Sequence, residues 1–108
     1  MNNVIEILGE KIAIKFNMAV EIAYEEITGE PFSIEALKSQ KNSAALYMAV
    51  LLASKPDTQI TMEKLINEAD GPTIATLSTA VIQAMSKWMK LPSVITEEPV
   101  EKPAEEKN

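Results

Sequence analysis

The run AALYMAVLLA at positions 44–53, ten apolar residues without a break, constrains the fold of this chain more than any other feature. It is longer than an ordinary buried strand and well short of the roughly 18 residues that would span a bilayer. It therefore predicts a helix over 43–55 that is buried on most of its surface, closed by Pro56-Asp57. A helix of that kind cannot stand alone, and the rest of the chain has to cover it.

The covering elements have their own signals. Residues 4–16 are rich in Val and Ile and are split by Gly9-Glu10, which predicts a hairpin with a two-residue turn. Period-two alternation puts Ile12, Ile14 and Phe16 on one face of its second strand and Lys11, Ala13 and Lys15 on the other. Because an isolated hairpin is marginal in water, this one is expected to lie on helices. The first helix, over 18–28, has Asn17 as cap and Gly29 as stop. Its apolar residues leave only a strip at Glu21, Glu25 and Glu26 for water, so it is expected to be central.

Two further helix starts share one design. Ser33 caps a helix over 34–40, with Phe32 stapled onto Leu37, and Thr61 caps a helix over 62–69, with Ile60 stapled onto Leu65. A last helix opens at Gly71-Pro72, runs to about Lys90, and presents one apolar stripe: Ile74, Leu77, Val81, Ala84, Met85 and Trp88. The expected fold class is α+β, predominantly helical: an N-terminal β-hairpin packed on a bundle of four to five helices. One globular domain over 1–91 is expected, followed by an acidic Pro/Glu/Lys tail over 92–108, whose composition is that of disordered chain.

Composition narrows the chemistry. There is no cysteine and no histidine, and all ten cations are lysines. Thiolate and imidazole chemistry are thereby excluded, as is the two-pronged guanidinium grip on phosphate. Three glycines, at positions 9, 29 and 71, do not make a phosphate-cradling loop. The net charge of −6 opposes nucleic-acid binding, and no cofactor or metal is expected. Glu21 and Glu25, one turn apart, with Lys15 are the least unsuitable catalytic groups, but a solvated helix face accounts for the carboxylates. The absence of a basic leader and of a spanning segment predicts a cytoplasmic protein with no membrane partner. The chain reads as a binding protein, not an enzyme.

The methionines sharpen that expectation. Met18 and Met48 are expected to fill the core, whereas Met85, Trp88, Met89 and Leu91 end the last helix where few neighbours remain to cover them. The expected protein-binding residues are Leu77, Val81, Met85, Trp88 and Met89.

The N-terminal half also resembles a known family. A hairpin ending in Lys15-Phe16-Asn17 leads to a helix carrying Glu25-Glu26, then to Thr28-Gly29-Glu30-Pro31-Phe32 and a second capped helix. This order is similar to tail assembly chaperones of long-tailed bacteriophages and prophages, with Glu30 where a lysine is frequent. The resemblance covers roughly residues 4–55. It implies a protein of the bacterial cytoplasm that binds the helical tape-measure protein, keeps it soluble, and yields to tail tube subunits as they polymerise. The alternative from a different class is a small virion structural or scaffolding protein that self-assembles as a homo-oligomer.

Overall fold

The computed structural model describes residues 3–90, and the expected tail over 92–108 lies outside them. Strands β1 (Val4–Ile7) and β2 (Glu10–Ala13) form an antiparallel hairpin, followed by helix α1 (Met18–Thr28) and a single 3₁₀ turn (Glu35–Lys38). Helices α2 (Gln40–Ser54), α3 (Met62–Glu68) and α4 (Gly71–Met89) complete the α+β fold.

The hairpin pairs Val4 with Ala13, Ile5 with Ile12, Glu6 with Lys11 and Ile7 with Glu10. Its two-residue turn is Leu8-Gly9, one position earlier than the sequence suggests. Both residues have positive φ, 50° and 86°, the signature of a type I′ turn, whose twist matches that of the strands. Directly paired residues share a face, so Ile5, Ile7 and Ile12 turn inward while Val4, Glu6, Lys11 and Ala13 face water. Ile14 and Phe16 are buried beyond the strand's end, as the alternation predicts.

Helix α2 is the centre of the molecule. Ala45, Leu46, Met48, Ala49, Val50 and Leu51 are all buried, covering more than one side of the helix. Helix α1 packs along it but is not central: only Val20 and Tyr24 are buried. Met18, expected in the core, is 64% exposed, and Ile22, one turn on, is 52% exposed. The high apolar content of α1 misleads here because the helix has a neighbour on one side only, and its other apolar side chains meet solvent.

The segment after α1 also departs from expectation. Ser33 accepts a hydrogen bond from the Ala36 N–H (3.2 Å), yet the turn it starts closes after Lys38. Ser39 is extended (φ −89°, ψ 133°) and begins a new helix, its hydroxyl accepting from the Asn42 N–H. Asn42 and Ser43 reach back to the Ala36 and Leu37 carbonyls. The competing cap thus moves the start of α2 to Gln40 and truncates the preceding helix to one turn. Phe32 meets Tyr24 edge-on at 5.4 Å and Phe16 at 5.9 Å between ring centroids.

Helices α3 and α4 start where side-chain caps dictate. Thr61 accepts from the Lys64 N–H and Asp70 from the Thr73 N–H, with Pro72 in the first turn of α4. The Asp70 carboxyl is held below the usual carboxylate range by its bonds to Thr73. Glu10 ties the hairpin to the loop between α2 and α3. Its carboxylate accepts from the Thr58 hydroxyl (2.6 Å), the Gln59 N–H (3.0 Å) and the Lys55 ammonium (3.2 Å). The Thr58 bond is the main reason its pKa is lowered, with Gln59 and Lys55 acting in the same direction.

Candidate functional site

An open groove of about 820 Å³ lies between the end of the hairpin and the last two turns of α4. One wall is the segment from Ala13 to Phe16. Its backbone is pinned at Lys15, whose N–H donates to the Ser54 hydroxyl at 3.1 Å, at the C-terminal end of α2. The other wall is Gln83, Ala84, Lys87 and Trp88, which share one face of α4 at spacings of one, three and four residues. Asn3 holds the two walls in register: its carbonyl accepts from the Ile14 N–H (2.8 Å), and its side-chain amide donates to the Ala80 carbonyl on α4 (3.0 Å).

The lining is chemically divided. Ile14, Phe16, Ala84 and Trp88 supply apolar surface, with the Phe16 and Trp88 rings 5.7 Å apart and tilted by 45°. Lys15, Lys87 and Lys90 supply charge, and no carboxylate among the described residues lines the groove. A shallower depression of about 370 Å³, lined by Ile5, Ala75, Thr76 and Thr79, shares Asn3 and Gln83 with it. Together they follow α4 from Ala75 to Lys90, which at 1.5 Å per residue is about 22 Å.

The five residues expected to bind a partner divide between core and surface. Leu77, Val81 and Met85 are buried against the rest of the fold, Leu77 and Val81 completely, and none of the three lines the groove. An apolar stripe of a packed helix faces its own core first, and this stripe does so. Met89 is half-buried, and Trp88, at 41% exposed, is the one member that presents a large apolar face to solvent. Leu91 lies outside the described residues. Glu21 is half-buried and Glu25 exposed on α1, and neither lines the groove, whereas Lys15 does. Among the described residues no group of three or more acids is placed to hold a metal ion, and no helix is long and apolar enough to cross a membrane.

Sequence reasoning missed the groove's other wall. Ile14 and Phe16 read as core residues, and they are buried, but they also form the groove's floor. The available signal was the alternation Lys15-Phe16, where the chain turns from strand to helix with a cation outward and an aromatic inward.

Thr28, Gly29 and Phe32 have architectural roles. Gly29 ends α1 in the left-handed region (φ 79°), its N–H donating to the Glu25 carbonyl. The Thr28 hydroxyl bonds to the Tyr24 carbonyl (2.9 Å) and accepts from the Glu30 N–H (3.1 Å). These contacts fix the corner that delivers Phe32 to Tyr24 and Phe16. Burial raises the Tyr24 pKa, with the nearby Glu30 carboxylate adding to the shift. Comparison with protein-family models, curated proteins and solved structures returned no match.

Proposed function

We propose that this protein is a tail assembly chaperone of the phage and prophage type, a binding protein and not an enzyme, which holds the helical tape-measure protein in soluble form in the bacterial cytoplasm. The observation that carries the reading is the groove beside α4. Its length of about 22 Å matches an α-helical segment of about 15 residues. Aromatic surface at Trp88, backed by the buried Phe16 ring, suits the apolar face of such a helix, and lysines at 15, 87 and 90 suit carboxylates on its flanks. The chain's overall charge of −6 keeps a complex with an apolar client dispersed.

The test is co-expression with the longest predominantly helical protein encoded beside this gene. The client is expected to become soluble and to co-purify, and Trp88→Lys to release it without unfolding the chaperone. A client that stays insoluble and unbound beside well-folded protein overturns the proposal.

A second reading has its own observation. Met18 and Ile22 form an exposed apolar pair on α1, which favours self-association into a scaffolding oligomer. Sedimentation across a dilution series separates the two: a strictly monomeric protein removes the scaffolding reading.

A further inference from the structure

We infer that the outer edge of β1 is a docking site for a second copy of this chain, the two β1 strands pairing antiparallel across a two-fold axis. The inference goes beyond the chaperone reading and does not depend on it.

The hairpin's own ladder shows which backbone groups it leaves unused. The Ile14 N–H donates to the Asn3 carbonyl at 2.8 Å, so these two residues form a hydrogen-bonded pair. In an antiparallel ladder such pairs alternate with pairs that exchange no bonds. Along the register, Ile5–Ile12 and Ile7–Glu10 are therefore bonded, whereas Val4–Ala13 and Glu6–Lys11 are not. The N–H and C=O groups of Val4 and Glu6 point away from β2, and among the described residues they have no backbone partner.

The two edges of the hairpin are not equivalent. On β2 the outward groups belong to Lys11 and Ala13. That edge is fenced at both ends: the Ser54 hydroxyl takes the Lys15 N–H, and Glu10 is bound to Lys55, Thr58 and Gln59. Lysines at 11 and 15 guard it further, since a cation on an edge opposes strand addition. Strand β1 carries no lysine and no proline, and its first residue, Val4, is 49% exposed. Unused backbone groups beside an exposed apolar side chain invite another strand.

Self-complementarity points to a second copy as that strand. The depression of about 370 Å³ lies beside Ile5, its far wall is made by the small side chains Ala75, Thr76 and Thr79 of α4, and no β2 residue lines it. Like charges directly opposite each other disfavour the register that sets Glu6 against Glu6 of the second copy. Setting Val4 against Val4 leaves the outward groups of Glu6 without a partner in the other β1. Setting Val4 against Glu6, centred on Ile5, uses every outward group of both strands. In that register the two Ile5 side chains meet at the axis on the inner face, each entering the depression of the other copy. The same residue is then the knob of one copy and the wall of the hole in the other. A contact of this kind closes at two copies. The depression is also the Ala75 end of the surface proposed for a client helix, so under that reading client and second copy exclude one another there.

An edge this short makes a dimer that exchanges with monomer, so the test is a concentration series on the full chain. Sedimentation equilibrium from about 1 μM to about 1 mM is expected to show a mass rising from one chain to two and no further. Glu6→Pro removes an outward N–H that the hairpin does not use, and Val4→Lys adds a guarding cation. Both are expected to stay monomeric, with circular dichroism melting close to wild type. Met18→Lys/Ile22→Lys, on the exposed face of α1, is expected to dimerise as wild type does. Where about nine-tenths of the chains are paired, the Val4 and Glu6 amides are expected to exchange about tenfold more slowly than in dilute protein, because only the unpaired tenth exchanges. This readout needs no variant and stands even if Glu6→Pro unfolds the hairpin. A wild type that stays monomeric to millimolar overturns the inference. So does a dimer that survives folded Val4→Lys with these amides unprotected, and so does one abolished by the α1 substitutions, which places the contact on α1. Client capture is read separately through Trp88, so neither result decides the chaperone reading.

Discussion

Leu77 is the residue on which the two readings of α4 part most sharply. If its stripe were a standing docking surface, truncating Leu77 would cost binding and leave the fold untouched. In the structure Leu77 is fully buried and belongs to the same core as Leu46, Leu51 and Val81. Leu77→Ala removes three buried carbons at about 0.8 kcal/mol each, about 2.4 kcal/mol from transfer alone. The cavity left behind raises the total into the range of about 2–5 kcal/mol, depending on how far the neighbours close in. A domain of this size has a total stability of about 5–15 kcal/mol, so the loss is a large fraction. At roughly 4–8 °C per kcal/mol, the melting temperature falls by at least about 10 °C. The assay is urea unfolding followed by circular dichroism at 222 nm, with wild type and variant sharing one m-value. Trp88→Ala is the counterpart: its ring is 41% exposed, so it is expected to cost less stability and to lose client capture. A Leu77→Ala protein within about 1 kcal/mol of wild type would refute the argument, because no fully buried leucine in a closed core is that dispensable.

Three further outcomes follow from particular contacts. The lowered pKa of Glu10 means that its stabilisation is complete above the unfolded value of about 4.3 and is lost as pH falls through the folded value. The melting temperature is therefore expected to drop on acidification below about pH 5 and to do so less steeply in Glu10→Gln, and identical pH profiles would remove this contribution. Gly29→Ala meets no atom within 4 Å of the added carbon, so its cost is left-handed backbone strain alone, about 1–2 kcal/mol in thermal unfolding. Thr61→Ala removes the cap of α3 and is expected to cost about 1 kcal/mol, with Thr61→Ser restoring most of it.

Local chemistry was legible wherever one signal had no rival. Asn17, Gly29, Thr61 and Pro56 set helix ends as their types predict, and the Ile12-Ile14-Phe16 alternation gave the buried face of the hairpin. Where two signals competed the outcome needed the structure. Ser33 and Ser39 both offer helix caps six residues apart, and the side chains of Asn42 and Ser43 decide for the second. The turn at Leu8-Gly9 falls one residue early because Glu10 belongs to the strand, where its carboxylate reaches Lys55, Thr58 and Gln59, three partners far away in sequence. Periodicity located the apolar stripe of α4 but could not tell inward from outward. That depends on what the hairpin and α2 bring to it. Hence Leu77, Val81 and Met85 went to the core, while the groove took Ala84 and Trp88 from the adjacent face.

The corner at Thr28-Gly29 and the groove at Trp88 belong to one arrangement. Gly29 and Thr28 turn the chain so that Phe32 reaches both Tyr24 and Phe16. Phe16, held from that side, presents its ring to Trp88 across the groove floor. The four rings therefore run in a continuous series from the α1–α2 core to the exposed site, each pair between 5.4 and 5.9 Å apart. Aromatic pairs of this kind add about 0.5–1.5 kcal/mol each beyond the area they bury, enough to fix the orientation of a ring that solvent would otherwise leave free. Thr28 and Gly29 thus act on the groove at one remove. They set the position of Phe32, and through Phe16 the shape of the surface that a client helix would meet under the proposed function.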